Sequence, residues 1–178
     1  TIYESAVELL TRETVAAFDL SQEPEDLRRA YGKGLFGQGC LLARRLIERG
    51  TAFVEVTLDG WDTHADNFGR LAPLTQQLDS GWATLMSDLE QRGLLEDTTI
   101  LWMGEFGRTP QINGAAGRDH FPRAWSCVLA GGGVAGGQAY GKTSDDGTRI
   151  LENAVDCPSM LATLCAALGV DPSRVAMS

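Results

Sequence analysis

The sequence is short of histidine, of basic residues and of long apolar runs. Only two histidines occur in 178 residues, His64 and His120. No apolar run approaches the ~20 residues of a membrane-spanning helix, so no membrane span is expected. Fifteen Lys and Arg face 24 Asp and Glu, for a net charge of −9. No basic face is apparent, which argues against a nucleic-acid partner. The acidic excess suits metal cations, and equally a plain solvated surface. Cys40, Cys127, Cys157 and Cys165 include no Cys-x-x-Cys pair, which argues against a thiolate zinc site. Cys40 and Cys165 fall in apolar helical patterns and Cys127 in a strand-like run. Buried thiols are therefore expected, with a disulfide open if the protein is exported. Neither an internal repeat nor a linker-like composition shift interrupts the chain. No signal peptide is visible, and Thr1 stands where an initiator Met would, so the chain reads as an excised or processed piece.

What remains is ordinary globular material, 43% hydrophobic and 22% charged, enough for one domain with a core. Residues 3 to 18 read as a helix with Val7, Leu10 and Val15 or Phe18 on one side. Pro24 opens a short helix through Arg29. A third helix covers Gly37 to Arg49, with Leu41, Leu42, Leu46 and Ile47 as its apolar face and Gly50 past its end. Thr51 to Leu58 (TAFVEVTL) alternates and predicts a strand. Leu71, Leu74, Leu78, Trp82, Leu85, Met86 and Leu89 recur at helical steps, with Gly93 beyond. Thr98 to Met103 (TTILWM) is a continuously apolar strand of the buried parallel kind. Trp125 to Ala130 predicts a third strand, and Pro158 to Leu168 a last helix closed by Gly169. Strand, long helix and strand make a right-handed βαβ unit. The expected fold is a single α/β domain, a mostly parallel sheet flanked by helices. In such sheets ligands gather beyond the C-terminal ends of strands.

Two glycine-rich segments resemble phosphate loops. Gly32, Gly34 and Gly37 spell G-x-G-x-x-G, but the residues before them (EPEDLRRAY) are helical where a dinucleotide fold needs a strand. They read better as a turn between helices. Gly136, Gly141, Lys142 and Thr143 fit G-x-x-x-x-G-K-[ST]. The mechanism needs a helix starting at the Lys, and Ser144, Asp145, Asp146 and Gly147 favour a turn instead. P-loop nucleotide binding is kept only as a minor alternative.

Chemistry concentrates in three loops. Gly60-Trp61-Asp62-Thr63-His64 follows the first expected strand, and Asp62 and His64, two apart, point to one side if extended. A carboxylate and an imidazole converging there suit Zn²⁺ or Mn²⁺; the bland alternative is a helix cap using Asp66 or Asn67. Gly104-Glu105-Phe106-Gly107-Arg108-Thr109-Pro110 follows the second strand. It puts Glu105 at the same rim of the sheet as Asp62, provided both strands are parallel, and offers Arg108 as a fork for an anionic oxygen; the bland alternative is a surface pair between those two. Gly117-Arg118-Asp119-His120-Phe121-Pro122 precedes the third strand. Three such loops, holding every histidine of the chain, point to one divalent-metal site.

GWDTH, GEFGRTP and GRDHFP in this order resemble a bacterial family called domain of unknown function 1501. The likeness extends over Tyr31-Gly32, residues 36 to 46, residues 137 to 141 and residues 157 to 171, nearly the whole chain. That family looks like a branch of the alkaline-phosphatase and sulfatase superfamily, whose members hydrolyse phosphate or sulfate esters with metal ions. The resemblance implies an alkaline-phosphatase-like fold, of which this chain is the C-terminal portion of a partial domain. It implies that Asp62, His64 and His120 bind one metal (Zn²⁺, Mn²⁺ or Ca²⁺) and Glu105 a neighbouring one, and that Asp119 is a ligand or orients His120. Arg108 would neutralise a substrate oxygen. Phe106 stands where the superfamily has a second ligand histidine, so the second metal lacks a ligand. The nucleophile would lie in an N-terminal half outside this chain. Relatives that carry a twin-arginine signal imply export to the periplasm. The competing expectation is a non-catalytic, metal-stabilised binding or structural domain, since fold does not imply function.

Overall fold

The computed structural model describes residues 12–171. The chain divides into two compact units. One holds the residues up to Asp62 together with Gly69–Arg92, and the other holds Thr63–Phe68 and the residues from Gly93 on.

The first unit is helical: α1 (Arg12–Ala17), α2 (Glu25–Ala30), α3 (Leu35–Ile47) and most of α4 (Asn67–Gln91). Of the helix expected over residues 3 to 18, Val7 and Leu10 lie outside the described residues. Pro24 is the N-cap of α2, where its missing N–H costs nothing. Of the G-x-G-x-x-G glycines, Gly32 and Gly34 lie in the turn from α2 into α3 and Gly37 in the first turn of α3. Gly37 is required there for space, because a Cβ would sit 1.9 Å from the Tyr31 carbonyl oxygen. Gln38 Nε2 closes the turn by donating to the carbonyls of Gly32 (2.6 Å) and Arg28 (3.1 Å).

Tyr31, Phe36, Cys40 and Leu41 form the core cluster, packed by Leu20, Leu27, Val56, Leu58, Leu78 and Leu85. Each such apolar side chain contributes about 1.5–3 kcal/mol when fully buried. Burial pushes the Cys40 thiol up to about 12, so it is an inert core group. The helical periodicity of α4 turns Leu71, Leu74, Leu78, Leu85 and Leu89 inward, as its spacing predicts. On α3 the buried face is Phe36, Gly37, Cys40, Leu41, Arg44 and Arg45. Leu42, Leu46 and Ile47, expected inside, are half-buried because two arginines occupy the inward positions.

Those arginines anchor an ionic network. Arg44, with its side chain fully buried, has Nε 2.8 Å from Asp88 Oδ2 and Nη2 2.9 Å from Glu23 Oε2. These are ion-pair distances without hydrogen-bond alignment. Its Nη1 donates to Glu48 Oε2 at 2.6 Å. Tyr31 Oη donates to Asp88 Oδ2 (2.9 Å), and burial together with that carboxylate pushes the phenol pKa up. Arg92 reaches Asp88 Oδ1 (2.7 Å) and Glu48 Oε1 (2.6 Å). Arg45 donates to the carbonyls of Ala17 (2.7 Å) and Ala16 (2.8 Å) and bonds Glu23, which satisfies the C-terminus of α1. Burial alone would raise the Glu23 carboxyl, but the Arg44 and Arg45 guanidinium groups beside it outweigh that and hold it below its ordinary value.

The second unit is built on antiparallel strand pairs. β1 (Thr99–Trp102), β2 (Gly107–Arg108), β3 (His120–Phe121), β4 (Val128–Gly131), β5 (Lys142–Thr143) and β6 (Ile150–Glu152) pair as β1–β4, β2–β3 and β5–β6. α5 (Cys157–Ala167) follows, with Asp156 as N-cap accepting from Ser159 N at 2.8 Å. The expected α/β domain with a mostly parallel sheet, alkaline-phosphatase-like in layout, is therefore overturned. Every named strand pair among the described residues is antiparallel.

The physical reasons are local. In TAFVEVTL the alternation holds, with Val54, Val56 and Leu58 half-buried and Phe53, Glu55 and Thr57 exposed. That segment enters no named strand, so no βαβ unit forms through α4. TTILWM does become β1, but its partner β4 comes after loops and the short β2–β3 ribbon rather than a crossover helix. Its continuous apolar run does not mean burial on both faces, since Trp102 is 37% exposed. Cys40 is buried as expected, but not every thiol is. All four cysteines are free, and Cys127 and Cys157 are exposed. Among the described residues no helix is long and apolar enough to cross a membrane.

Replacing Arg44 with Met leaves three carboxylates with one fewer buried cation. The expected loss is about 3–5 kcal/mol, read by urea denaturation. A loss under ~1 kcal/mol would mean that Arg45 and Arg92 suffice. Because the Glu23 carboxyl is depressed in the folded state, its contribution is complete above the ordinary 4.5 and fades as pH falls below it. Thermal melts of Glu23→Gln are expected to show a shallower acid limb than the parent protein. Parallel limbs would contradict this.

Candidate metal centre

The site grows from one backbone contact. Asp66 N donates to Ala115 O (3.0 Å), Asn67 N to Ala116 O (2.8 Å) and Arg118 N to Thr63 O (2.9 Å). Ala65 and Ala116 face each other in an isolated antiparallel bridge. Beneath it, Thr63 Oγ1 donates to Asn67 Oδ1 at 2.7 Å, with both residues buried. Gly117 is required by this approach, since a Cβ there would lie 2.0 Å from the His64 carbonyl carbon and oxygen.

His64 and His120 are thereby brought together across 56 residues of sequence, with Nε2 3.1 Å from Nε2. Asp62, two residues before His64, completes a group whose candidate ligand atoms all lie within 4.8 Å of one another. All three residues are exposed. His64 Nδ1 lies 3.0 Å from Asp119 Oδ1. An ionised carboxylate can only accept, so Nδ1 carries a proton, and in the neutral ring Nε2 is then the unprotonated nitrogen. The bond from His64 first, then that from Asn113, holds the Asp119 carboxyl below its ordinary value.

β2 and β3 set the other wall. In their register Arg108 stands opposite His120. The Phe106 ring lies 4.5 Å from the His120 ring, tilted by 54°, and the Arg108 guanidinium carbon is 5.8 Å from the Phe106 centroid. Arg108 Nη2 donates to Glu105 Oε1 at 2.6 Å.

Among the expected metal residues, then, Asp62, His64 and His120 converge. Asp119 holds His64 rather than its neighbour His120. Glu105 stands apart from the converging group, its carboxylate on Arg108. Two residues to which the sequence assigns no role, Asn113 outside the motifs and Thr109 within GEFGRTP, support the site. Asn113 bonds both His64 O and Asp119 Oδ1, and the Thr109 hydroxyl accepts from Asp119 N at 3.1 Å. Asn113-Gly114 is a turn signal in the sequence, but nothing in it says where the amide points. Lys142, the residue of the second phosphate-loop pattern, lies in β5 with Nζ 3.4 Å from Glu152. A turn follows in place of a helix. Its Asp146 accepts from Ser144 Oγ, Thr148 N and Thr148 Oγ1, the Ser144 bond leading, and is held down at about 2.

The donor set fits a divalent ion. Two ligands on a tetrahedral ion, each about 2.0–2.1 Å away, are about 3.3 Å apart, close to the 3.1 Å between the two imidazole nitrogens. A carboxylate from Asp62 would be the third ligand, and three protein ligands leave a position open, the pattern of catalytic sites.

Helices and two-stranded antiparallel ribbons with an exposed Asp-His-His group define the class: an α-plus-β chain with a candidate nitrogen- and oxygen-ligated metal centre. The chain belongs to the family described as Protein of unknown function (DUF1501), whose profile matches residues 1–178. No curated protein and no solved structure matches it.

Gly117→Ala forces the His64 backbone away from the loop. The expected result is a lower melting temperature and Zn²⁺ affinity weaker by about tenfold or more, measured by calorimetry. Unchanged affinity would show that the close approach does not set the ligand geometry.

Proposed function

We infer that the chain supplies the metal centre of a metal-dependent hydrolase acting on phosphate or sulfate esters. The motifs that resemble the alkaline-phosphatase and sulfatase superfamily support this reading. The observation that carries it is the meeting of Asp62, His64 and His120, with Arg108 directly across the β2–β3 ribbon from His120. Two imidazoles and one carboxylate favour Zn²⁺ or Mn²⁺ over Ca²⁺, which prefers six to eight oxygens. A divalent ion bound there supplies Lewis acidity toward an anionic ester oxygen. Asp119 holds His64 in its ligating tautomer. Phe106 props the ring of His120. Arg108 offers its fork to a second oxygen of the ester in exchange for Glu105. By the resemblance, the nucleophile comes from an N-terminal half that complements this chain, and the protein works after export.

A second reading has its own support. With Phe106 against His120 and Glu105 on Arg108, a neighbouring second metal lacks ligands. A single ion would then serve a non-catalytic, metal-stabilised domain.

His120→Ala separates the two. In the full-length protein with Zn²⁺ or Mn²⁺, loss of aryl phosphate, phosphodiester or sulfate ester hydrolysis at an unchanged melting temperature is the expected outcome. A falling melting temperature, with no hydrolysis in any variant, supports the structural domain. No bound metal on elemental analysis, and no thermal shift with divalent ions, would sink both.

A further inference from the structure

Asn113 uses its whole amide. Oδ1 accepts from Ala115 N and Gly117 N, each at 2.9 Å. Nδ2 donates to His64 O at 3.1 Å and to Asp119 Oδ1 at 3.0 Å. A flipped amide would set its NH₂ against two N–H groups and its oxygen against a carbonyl and a carboxylate. The network therefore fixes its orientation. Asp at this position has no donor, and Ser has only one. The loop is closed as well by Asn113 N to Gly117 O (2.9 Å) and Ala116 N to Asn113 O (3.1 Å), so the amide is held at its base.

We propose that Asn113 is a positioning residue that sets the tautomer of His64. It holds the Asp119 carboxylate where Oδ1 receives the His64 Nδ1 proton, which leaves Nε2 unprotonated on the side of His120. The side chain of Asp119 is 54% exposed and would otherwise be free to turn toward solvent. The Asn113 amide ties down the same oxygen that His64 uses. Its second donor bond fixes the His64 backbone at the same time, across 49 residues of sequence. One side chain thus fixes both the main chain of His64 and the carboxylate that its Nδ1 meets. Which ring nitrogen is protonated follows from the bond the other nitrogen makes, so losing the carboxylate's support releases the choice. The use of this device rests on the metal-centre reading above, but its test does not.

The chain contains only two histidines, so long-range ¹⁵N–¹H spectra of the metal-free, ¹⁵N-labelled 178-residue chain show two ring patterns. His120→Ala assigns them. His64 is expected to carry its proton on Nδ1. Asn113→Asp keeps the loop acceptor and removes the donors, and is expected to move His64 toward the Nε2–H form. Zn²⁺ affinity should weaken about 10–100-fold. In an Asp119→Ala background the same substitution should cost clearly less than in the parent chain, because the part of its effect that passes through Asp119 is already lost and only the bond to the His64 carbonyl remains. An unchanged His64 ring pattern in folded Asn113→Asp overturns the proposal, as does a full further loss of affinity in that background. Should Asn113→Asp not fold, Asn113→Ala, which offers no donor to Asp119 or to His64, gives the same reading of the ring pattern. A parent chain that binds no Zn²⁺ overturns the metal reading alone, since the ring spectrum decides the role of Asn113 with no metal present.

Discussion

Everything at the candidate centre depends on the pairing of the backbone from Thr63 to Asn67 with the loop from Asn113 to Arg118. Three main-chain hydrogen bonds and the close approach at Gly117 bring His64 to the ribbon that carries His120. Neither histidine is buried, so no core packing holds them. Their geometry is inherited from main chain that is bonded at both ends, with buried Thr63 and Asn67 beneath. This suits a ligand site: exposed side chains leave access, and the bonded backbone limits how far the nitrogens can drift.

The helical unit answers a different constraint. α3 places Arg44 and Arg45 on its buried face, and buried guanidinium groups are tolerable only when matched. Arg44, Arg45 and Arg92 meet Glu23, Glu48 and Asp88, three cations against three carboxylates. Desolvation opposes every member, so the net energy of the cluster is smaller than its contacts suggest. Removing one member is costly because it strands the others. Tyr31 joins this cluster to the apolar core, packing with Phe36 and Leu41 while its hydroxyl serves Asp88.

Legibility differed between elements for physical reasons. α4 is readable because its apolar spacing repeats over about five turns, from Leu71 to Leu89, and the element is the 25-residue helix Asn67–Gln91. The α3 face is only partly legible: Leu41 is buried as its spacing predicts, but arginine counts as polar in any periodicity, while here the charges of Arg44 and Arg45 are neutralised inside. TAFVEVTL announced its inward face correctly, through Val56 and Leu58. An alternating pattern, however, says nothing about whether a neighbouring strand is present to complete a ladder. The same gap explains the parallel sheet that did not form, since parallel and antiparallel neighbours place similar demands on a short apolar strand such as Thr99–Trp102.

The sequence by itself determined which chemistry is present: two histidines, each beside an acid in a glycine-flanked loop, and an arginine close to a third acid. It also determined the family, because those motifs and their order are written in the chain. Only the tertiary structure decided who meets whom. Asp119 serves His64 across 55 residues rather than its neighbour His120, Glu105 turns to Arg108, and Asn113 enters the site unannounced. The reason is the reach of the information. Residue type and local spacing fix which charges are present and their periodicity, whereas a contact between distant segments depends on main-chain hydrogen bonds whose pairing is not written in either segment alone.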